Sequence, residues 1–149
     1  MTKDVMISIK GMHLYDENGE DDPIEQIVAG KYYCKEGKHQ LFYEEASMNQ
    51  EEILNTRVTI TPQSVEFIRK GKYSSSICFF LGEKHINTYH TPMGNLSFGV
   101  ETENIDIREM SEDRIEIAIE YRLAFNREYE TECRVNMIIC SKELSAPLF

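Results

Sequence analysis

Residues 114–125, RIEIAIEYRLAF, alternate with period two. Ile115, Ile117, Ile119, Tyr121, Leu123 and Phe125 share one parity; Glu116, Ala118, Glu120, Arg122 and Ala124 share the other. Helical winding would scatter the apolar set around the axis, whereas a pleated strand gathers it on one face. At about 3.3 Å per residue the strand would run about 36 Å, well beyond the usual ~20 Å. Strands of that length belong to sheets that coil or close on themselves. The following stretch repeats the pattern. Tyr129, Thr131, Cys133, Val135, Met137 and Ile139 take one face, and Glu130, Glu132, Arg134 and Asn136 the other. Only the short NRE at 126–128 intervenes, so the two segments read as an antiparallel hairpin.

Earlier segments continue the theme. VMISI at 5–9 sets Val5, Ile7 and Ile9 together. KYYCK and HQLFYEE flank Glu36-Gly37, a turn in which glycine supplies positive φ. RVTIT at 57–61 and SVEFIR at 64–69 flank Pro62-Gln63, and INTYHT at 86–91 and NLSFGVET at 95–102 flank PMG. About nine strands with short connections result. Two places invite a helix: DDPIEQIV at 21–28, which could equally open the second strand, and SMNQEEIL at 47–54, long enough for one turn. The expected fold is all-β. It is one domain over 1–149, an antiparallel meander closing into a barrel of about eight to ten strands, because closure removes exposed sheet edges.

YYCKEGKHQLFYEE, VEFIRKGKYSSSICFFLGE and TYHTPMGNLSFGVET together resemble a small bacterial family of uncharacterised proteins typified by YwiB. The resemblance rests on Tyr43-Glu44-Glu45, on Arg69 with Gly71, and on Tyr89, Thr91 and Gly94, and it covers nearly the whole chain. It implies a lipocalin-like, or calycin-like, β-barrel. The family carries no established activity, so the resemblance implies a fold and no mechanism.

Charge and motif spacing exclude several functions. The net charge is −10, and the densest basic stretch is IRKGK at 68–72. Such a surface repels phosphate backbones, so no nucleic-acid partner is expected. No apolar run approaches the ~20 residues of a membrane helix, and no signal peptide is visible, so the expected location is cytoplasmic, without a membrane partner. Cys34, Cys78, Cys133 and Cys140 form no CxxC pair and read as reduced thiols, although one bridge is left open. Cys133 shares parity with the apolar face of its strand and Cys140 does not. His85 and His90 have opposite strand parity, and His13 and His39 stand elsewhere, so no metal site is expected and the histidines read as structural or surface groups. DENGEDD at 16–22 fails as a calcium loop, because Gly19 is fourth rather than sixth and no Glu closes twelve residues. No cofactor is expected, and no nucleophile–base motif marks a catalytic residue.

One polar constellation remains. Arg69 shares parity with Val65 and Phe67, so it points into the barrel and must meet carboxylates or carbonyls there. Glu44 or Glu45 could pair with it, one of the two pointing inward. Tyr89, Thr91, Tyr121 and Tyr43 complete the candidate ligand-binding set. Two readings stay open for Arg69: an ion pair that pins strand register, or the polar end of a pocket holding a ligand's carboxylate or amide. The leading functional expectation is a non-enzymatic barrel binding one small, partly apolar or amphipathic molecule inside. Against it stands a side-chain-filled interaction module, with a homodimer left open. A hydrolase or isomerase using Glu and Arg at the barrel mouth ranks last. His90 in YHTPMGNLSFGVET falls opposite to Tyr89 and Thr91 and is expected outside the core.

Overall fold

A computed structural model describes residues 3–11, 25–46, 53–71, 75–91, 94–125 and 129–142; at 25, 45–46, 75, 87–91, 95–96, 125 and 129–131 it describes the backbone alone. The elements are β1 Asp4–Lys10, β2 Glu25–Lys35, β3 Lys38–Ala46, β4 Ile53–Thr61, β5 Ser64–Lys70, β6 Ser75–Phe80, β7 Lys84–Thr91, β8 Gly94–Ser111, β9 Arg114–Phe125 and β10 Tyr129–Ser141. Each strand pairs antiparallel with its neighbours in sequence, and β1 joins β10 as well as β2, which closes the ring at ten strands. The expected all-β meander is therefore the fold. Turns β2–β3, β4–β5, β6–β7 and β8–β9 consequently share one end of the barrel, and the remaining connections share the other.

Alternation decides which side chains fill the barrel. Ile115, Ile117, Ile119, Tyr121 and Leu123 of β9 are buried and join Val135, Met137 and Ile139 of β10 in a single core. Val5, Ile7 and Ile9, Leu41, Val58 and Ile60, and Val65 and Phe67 supply it from the other wall. Rings meet within the lumen: Phe79 lies 6.2 Å from Phe67 and 4.9 Å from Tyr121, both edge-on. Glu36 and Gly37 both take positive φ, 53° and 80°, which matches the right-handed twist of the hairpin they join.

Three features depart from simple alternation. β8 is far longer than a strand ending at 102, because a bulge between Thr102 and Asn104 absorbs one residue. The inward parity then flips, from Val100 and Thr102 to Ile105 and Ile107, which hides the continuing strand from a period-two reading. Second, Cys140 pairs with Met6, opposite in parity to Ile139, yet is fully buried, so both faces are covered at that end of β10. Third, neither suggested helix forms among the described residues. Glu25–Val28 lie in β2, Ile53 and Leu54 open β4, and 21–24 and 47–52 fall outside the described residues.

Gly30 sets the geometry of the candidate site. β2 pairs with β3 from Gly30↔Tyr43 to Lys35↔Lys38, and with β1 from Lys31 back to Glu25. The first half of β2 therefore leaves β3 at Gly30 while β3 continues along β4 to Ala46. A Cβ at Gly30 would sit 2.8 Å from the Phe42 carbonyl oxygen, 3.0 Å from Ile7 Cδ1 and 3.2 Å from Tyr43 Cβ. The backbone oxygen cannot swing away, so Gly30→Ala is expected to cost about 1–3 kcal/mol, read as a lower urea midpoint at unchanged slope. A loss below a few tenths would show that the seam is slack.

Candidate functional site

One rung of the ladder crosses seven strands: Gly30, Tyr43, Thr56, Arg69, Ser75, Tyr89 and Leu96 are successive register partners. Three sequence candidates, Tyr43, Arg69 and Tyr89, thus share one level of the wall. Tyr43 and Arg69 are each 4% exposed and Thr56 is 2% exposed, so a guanidinium, a phenol and a hydroxyl stand side by side in a dry interior. Thr56 lies one residue before RVTIT at 57–61, and its parity with Val58 and Ile60 is the sequence signal for its inward place.

The other candidates disperse. Glu44 is exposed and shares the outer face with Phe42. Glu45 has the inward parity of Leu41 and Tyr43, and its side chain lies outside the described set, as do those of Tyr89, His90 and Thr91. By backbone register Thr91 pairs with Gly94 at the end of the hairpin. Tyr121 belongs to another rung, between Thr102 and Cys133, against Phe79. Burial first, and the Cys133 thiol second, push its phenol well above the ordinary range. Thr102 beside it is buried, and its Oγ1 has no hydrogen-bond partner among the described residues.

Where β2 and β3 part, a cleft of about 850 Å³ opens. Val28, Tyr43 and Thr56 reach it from the inner parity, and Phe42, Asn55, Arg57 and Ile68 from the outer. Four cations line it, Lys31, Arg57, Lys70 and Lys142, against two carboxylates, Asp4 and Glu44. Lys31 engages Asp4 directly. That hydrogen bond, reinforced by charge, holds the Asp4 carboxyl below its usual range and the Lys31 ammonium above its own. The lining is a net cationic surface on a chain of net charge −10. Sequence reading missed it because the four cations come from β2, β4, β5 and the residue after β10, and only barrel closure assembles them.

A second polar cluster begins one residue beyond Lys31, toward the β2–β3 turn. Tyr32 Oη and His39 Nδ1 are 2.5 Å apart, and His39 Nε2 lies 3.4 Å from Glu109 Oε1. The tyrosine and histidine rings stack with centroids 5.8 Å apart. Among the described residues no group of three His, Cys, Asp or Glu is arranged to hold a metal ion. Among them also, no helix is long and apolar enough to cross a membrane.

Comparison with known proteins agrees with this architecture. The sequence profile of a family described as "Domain of unknown function (DUF1934)" matches residues 7–137. The chain is similar to an "Uncharacterized beta-barrel protein YwiB" of Bacillus subtilis, 25% identical over 131 residues, spanning 87% of this chain and 89% of the relative. The crystal structure of the Bacillus subtilis ywiB protein superposes with a TM-score of 0.71 at 23% identity, covering 92% of this chain and 89% of that one. This last likeness is one of fold.

Proposed function

The chain belongs to the DUF1934 family of β-barrels, and from that premise we propose that it is a non-enzymatic barrel that binds one small, partly apolar anion in the cleft between β2 and β3. The observation that carries the proposal is the cleft's charge, four cations to two carboxylates on an otherwise acidic molecule. A surface of that sign concentrates anions locally and repels them elsewhere. The cleft's volume falls within the ~300–1,000 Å³ typical of small-ligand sites, and Val28, Phe42 and Ile68 offer apolar area beside the charges. The crowded lumen around Phe79 argues for a ligand in the wall rather than at the centre of the barrel. No disulfide joins the four cysteines, all of which lie among the described residues, and this supports a reducing, cytoplasmic setting.

Titration with the anionic fluorophore 8-anilinonaphthalene-1-sulfonate, with neutral N-phenyl-1-naphthylamine in parallel, tests the reading. The anion is expected to bind at one site about tenfold tighter than the neutral amine, a preference of about 1.4 kcal/mol. Arg57→Glu with Lys70→Glu should erase that preference, and so should high salt. Equal affinity for the two probes, or a preference that survives the double reversal, overturns the assignment.

A second reading uses the exposed outer face of β2 and β3. Tyr33 and Phe42 are exposed there and pack edge-on at 5.6 Å, the kind of aromatic pair that partner surfaces cover. A homodimer that dissociates on Tyr33→Ser, with fluorophore binding unchanged, would favour this reading.

A further inference from the structure

β2 and β3 share a ladder from the hairpin only as far as Gly30↔Tyr43. Beyond that rung, residues 25–29 keep β1 as their register partner and residues 44–46 keep β4. Two strand edges thus face each other across the cleft without pairing. Which backbone groups they present follows from the hairpin. The two-residue turn Glu36-Gly37 makes Lys35↔Lys38 a hydrogen-bonded pair, and such pairs recur at every second residue, at Tyr33↔Gln40 and Lys31↔Phe42. The alternate residues of β2 turn toward β1, as Tyr32 does when its N–H donates to the Lys3 carbonyl at 2.8 Å. The register between β1 and β2 continues unshifted to Glu25. The N–H and C=O of Ala29 and Ile27 therefore point into the gap from β2, and those of Glu44 point into it from β3. None of the three has a ladder partner on that side among the described residues. Donors and acceptors held in strand geometry are a template for another chain.

The side chains around the gap say what kind of chain. Lys31 and Lys142 stand on its β2 side, Arg57 and Lys70 on its β3 side, and all four have outward parity. Val28, Tyr43 and Thr56 line the inner parity. A strand laid in the gap turns successive residues to these two faces in alternation. We infer that the anion held in this cleft is an extended peptide segment, alternating acidic and apolar residues, that adds a strand between β2 and β3. The inference rests on the proposal that the cleft binds a partly apolar anion, and it gives that anion its chemistry. Carboxylates at alternate positions meet the outer cations, apolar side chains between them meet Val28 and Thr56, and the main chain bonds to Ile27, Ala29 and Glu44. A free small anion would satisfy the cations alone and leave those edge groups to water. Because β2 and β3 are antiparallel, the segment runs parallel to one and antiparallel to the other. The unpaired edge at 25–29 is about 17 Å long, so a segment of about six residues fills it.

The probe is a capped six-residue peptide alternating glutamate and valine. Its binding is read by displacement of 8-anilinonaphthalene-1-sulfonate and by amide hydrogen exchange of the unaltered protein. The peptide should displace the fluorophore, and saturation should slow exchange at Ile27, Ala29 and Glu44 about tenfold. Three control peptides should each bind at least about tenfold more weakly: glutamates and valines in separate blocks, lysine in place of glutamate, and N-methylation at every second residue. Ala29→Pro removes a gap-facing N–H that β1 does not use, so it should keep the fluorophore and lose the peptide about tenfold. Block or N-methylated peptides that bind as well as the alternating one overturn the inference, and so does saturation that leaves exchange at the three amides unchanged. A fluorophore that binds with its anion preference but is not displaced by the peptide overturns it too, while the cleft stands as a site for small anions. Absence of the anion preference itself overturns the cleft reading and this inference together.

Discussion

Phe79→Ala is expected to remove about 3–5 kcal/mol of stability, which for a chain of this length lowers Tm by roughly 10 °C. The argument begins with position. Phe79 is 1% exposed on β6, and its ring touches Phe67 on the neighbouring strand and Tyr121 on β9, three strands away around the ring. Contacts between strands that are not neighbours mean that this side chain bridges the lumen. Walls held apart by a hydrogen-bonded ladder cannot collapse onto the space a truncation leaves, so the loss combines transfer and cavity terms. Phe79→Leu refills much of the volume and should cost less than half as much. Urea unfolding at unchanged slope is the measurement. A loss under 1 kcal/mol for Phe79→Ala would mean that the lumen is loosely filled, and would return the barrel centre to consideration as a ligand site.

Arg69→Ala should be comparably damaging, about 3–5 kcal/mol, while Arg69→Met should cost less. By backbone register Arg69 lies on the rung between Thr56 and Ser75, with Tyr43 one strand further on, and almost none of Arg69, Thr56 or Tyr43 reaches water. Removing the guanidinium leaves buried polar groups to be resatisfied in a dry interior. Methionine at least keeps the stem's packing. The pair of variants also separates the two roles left open for Arg69. If folded Arg69→Met retains the anion preference of the cleft, Arg69 pins register from behind Thr56. If it folds and loses that preference, the guanidinium reaches the ligand. Stability of both variants within 1 kcal/mol of the parent would contradict a buried, engaged arginine.

Much of the barrel could be read one strand at a time. The alternation named the buried residues of β9 from Ile115 to Leu123 and of β10 from Cys133 to Ile139, though not Cys140; Glu36-Gly37 named its turn, and the parity of Arg69 with Val65 and Phe67 placed it inside. β8 shows where that reasoning stops. One extra residue after Thr102 shifts the pleat, so Ile105 and Ile107 lose their phase with Val100 although the strand continues. Glu44 and Glu45 show the same limit on a smaller scale. Adjacent residues must face opposite ways, but in a strand with mixed faces only its neighbours decide which way each points.

Two-residue periodicity, the hairpin turns and the charge balance are properties of short contiguous stretches, and they determined the all-β class, the meander and the inward set. The cationic cleft gathers Lys31, Arg57, Lys70 and Lys142 from well-separated parts of the chain. The bridge from His39 to Glu109 joins strands on opposite sides of the ring. Local patterning carries no information about such distances. They come into being when β1 inserts between β2 and β10 and the sheet's register is wrapped into a closed surface.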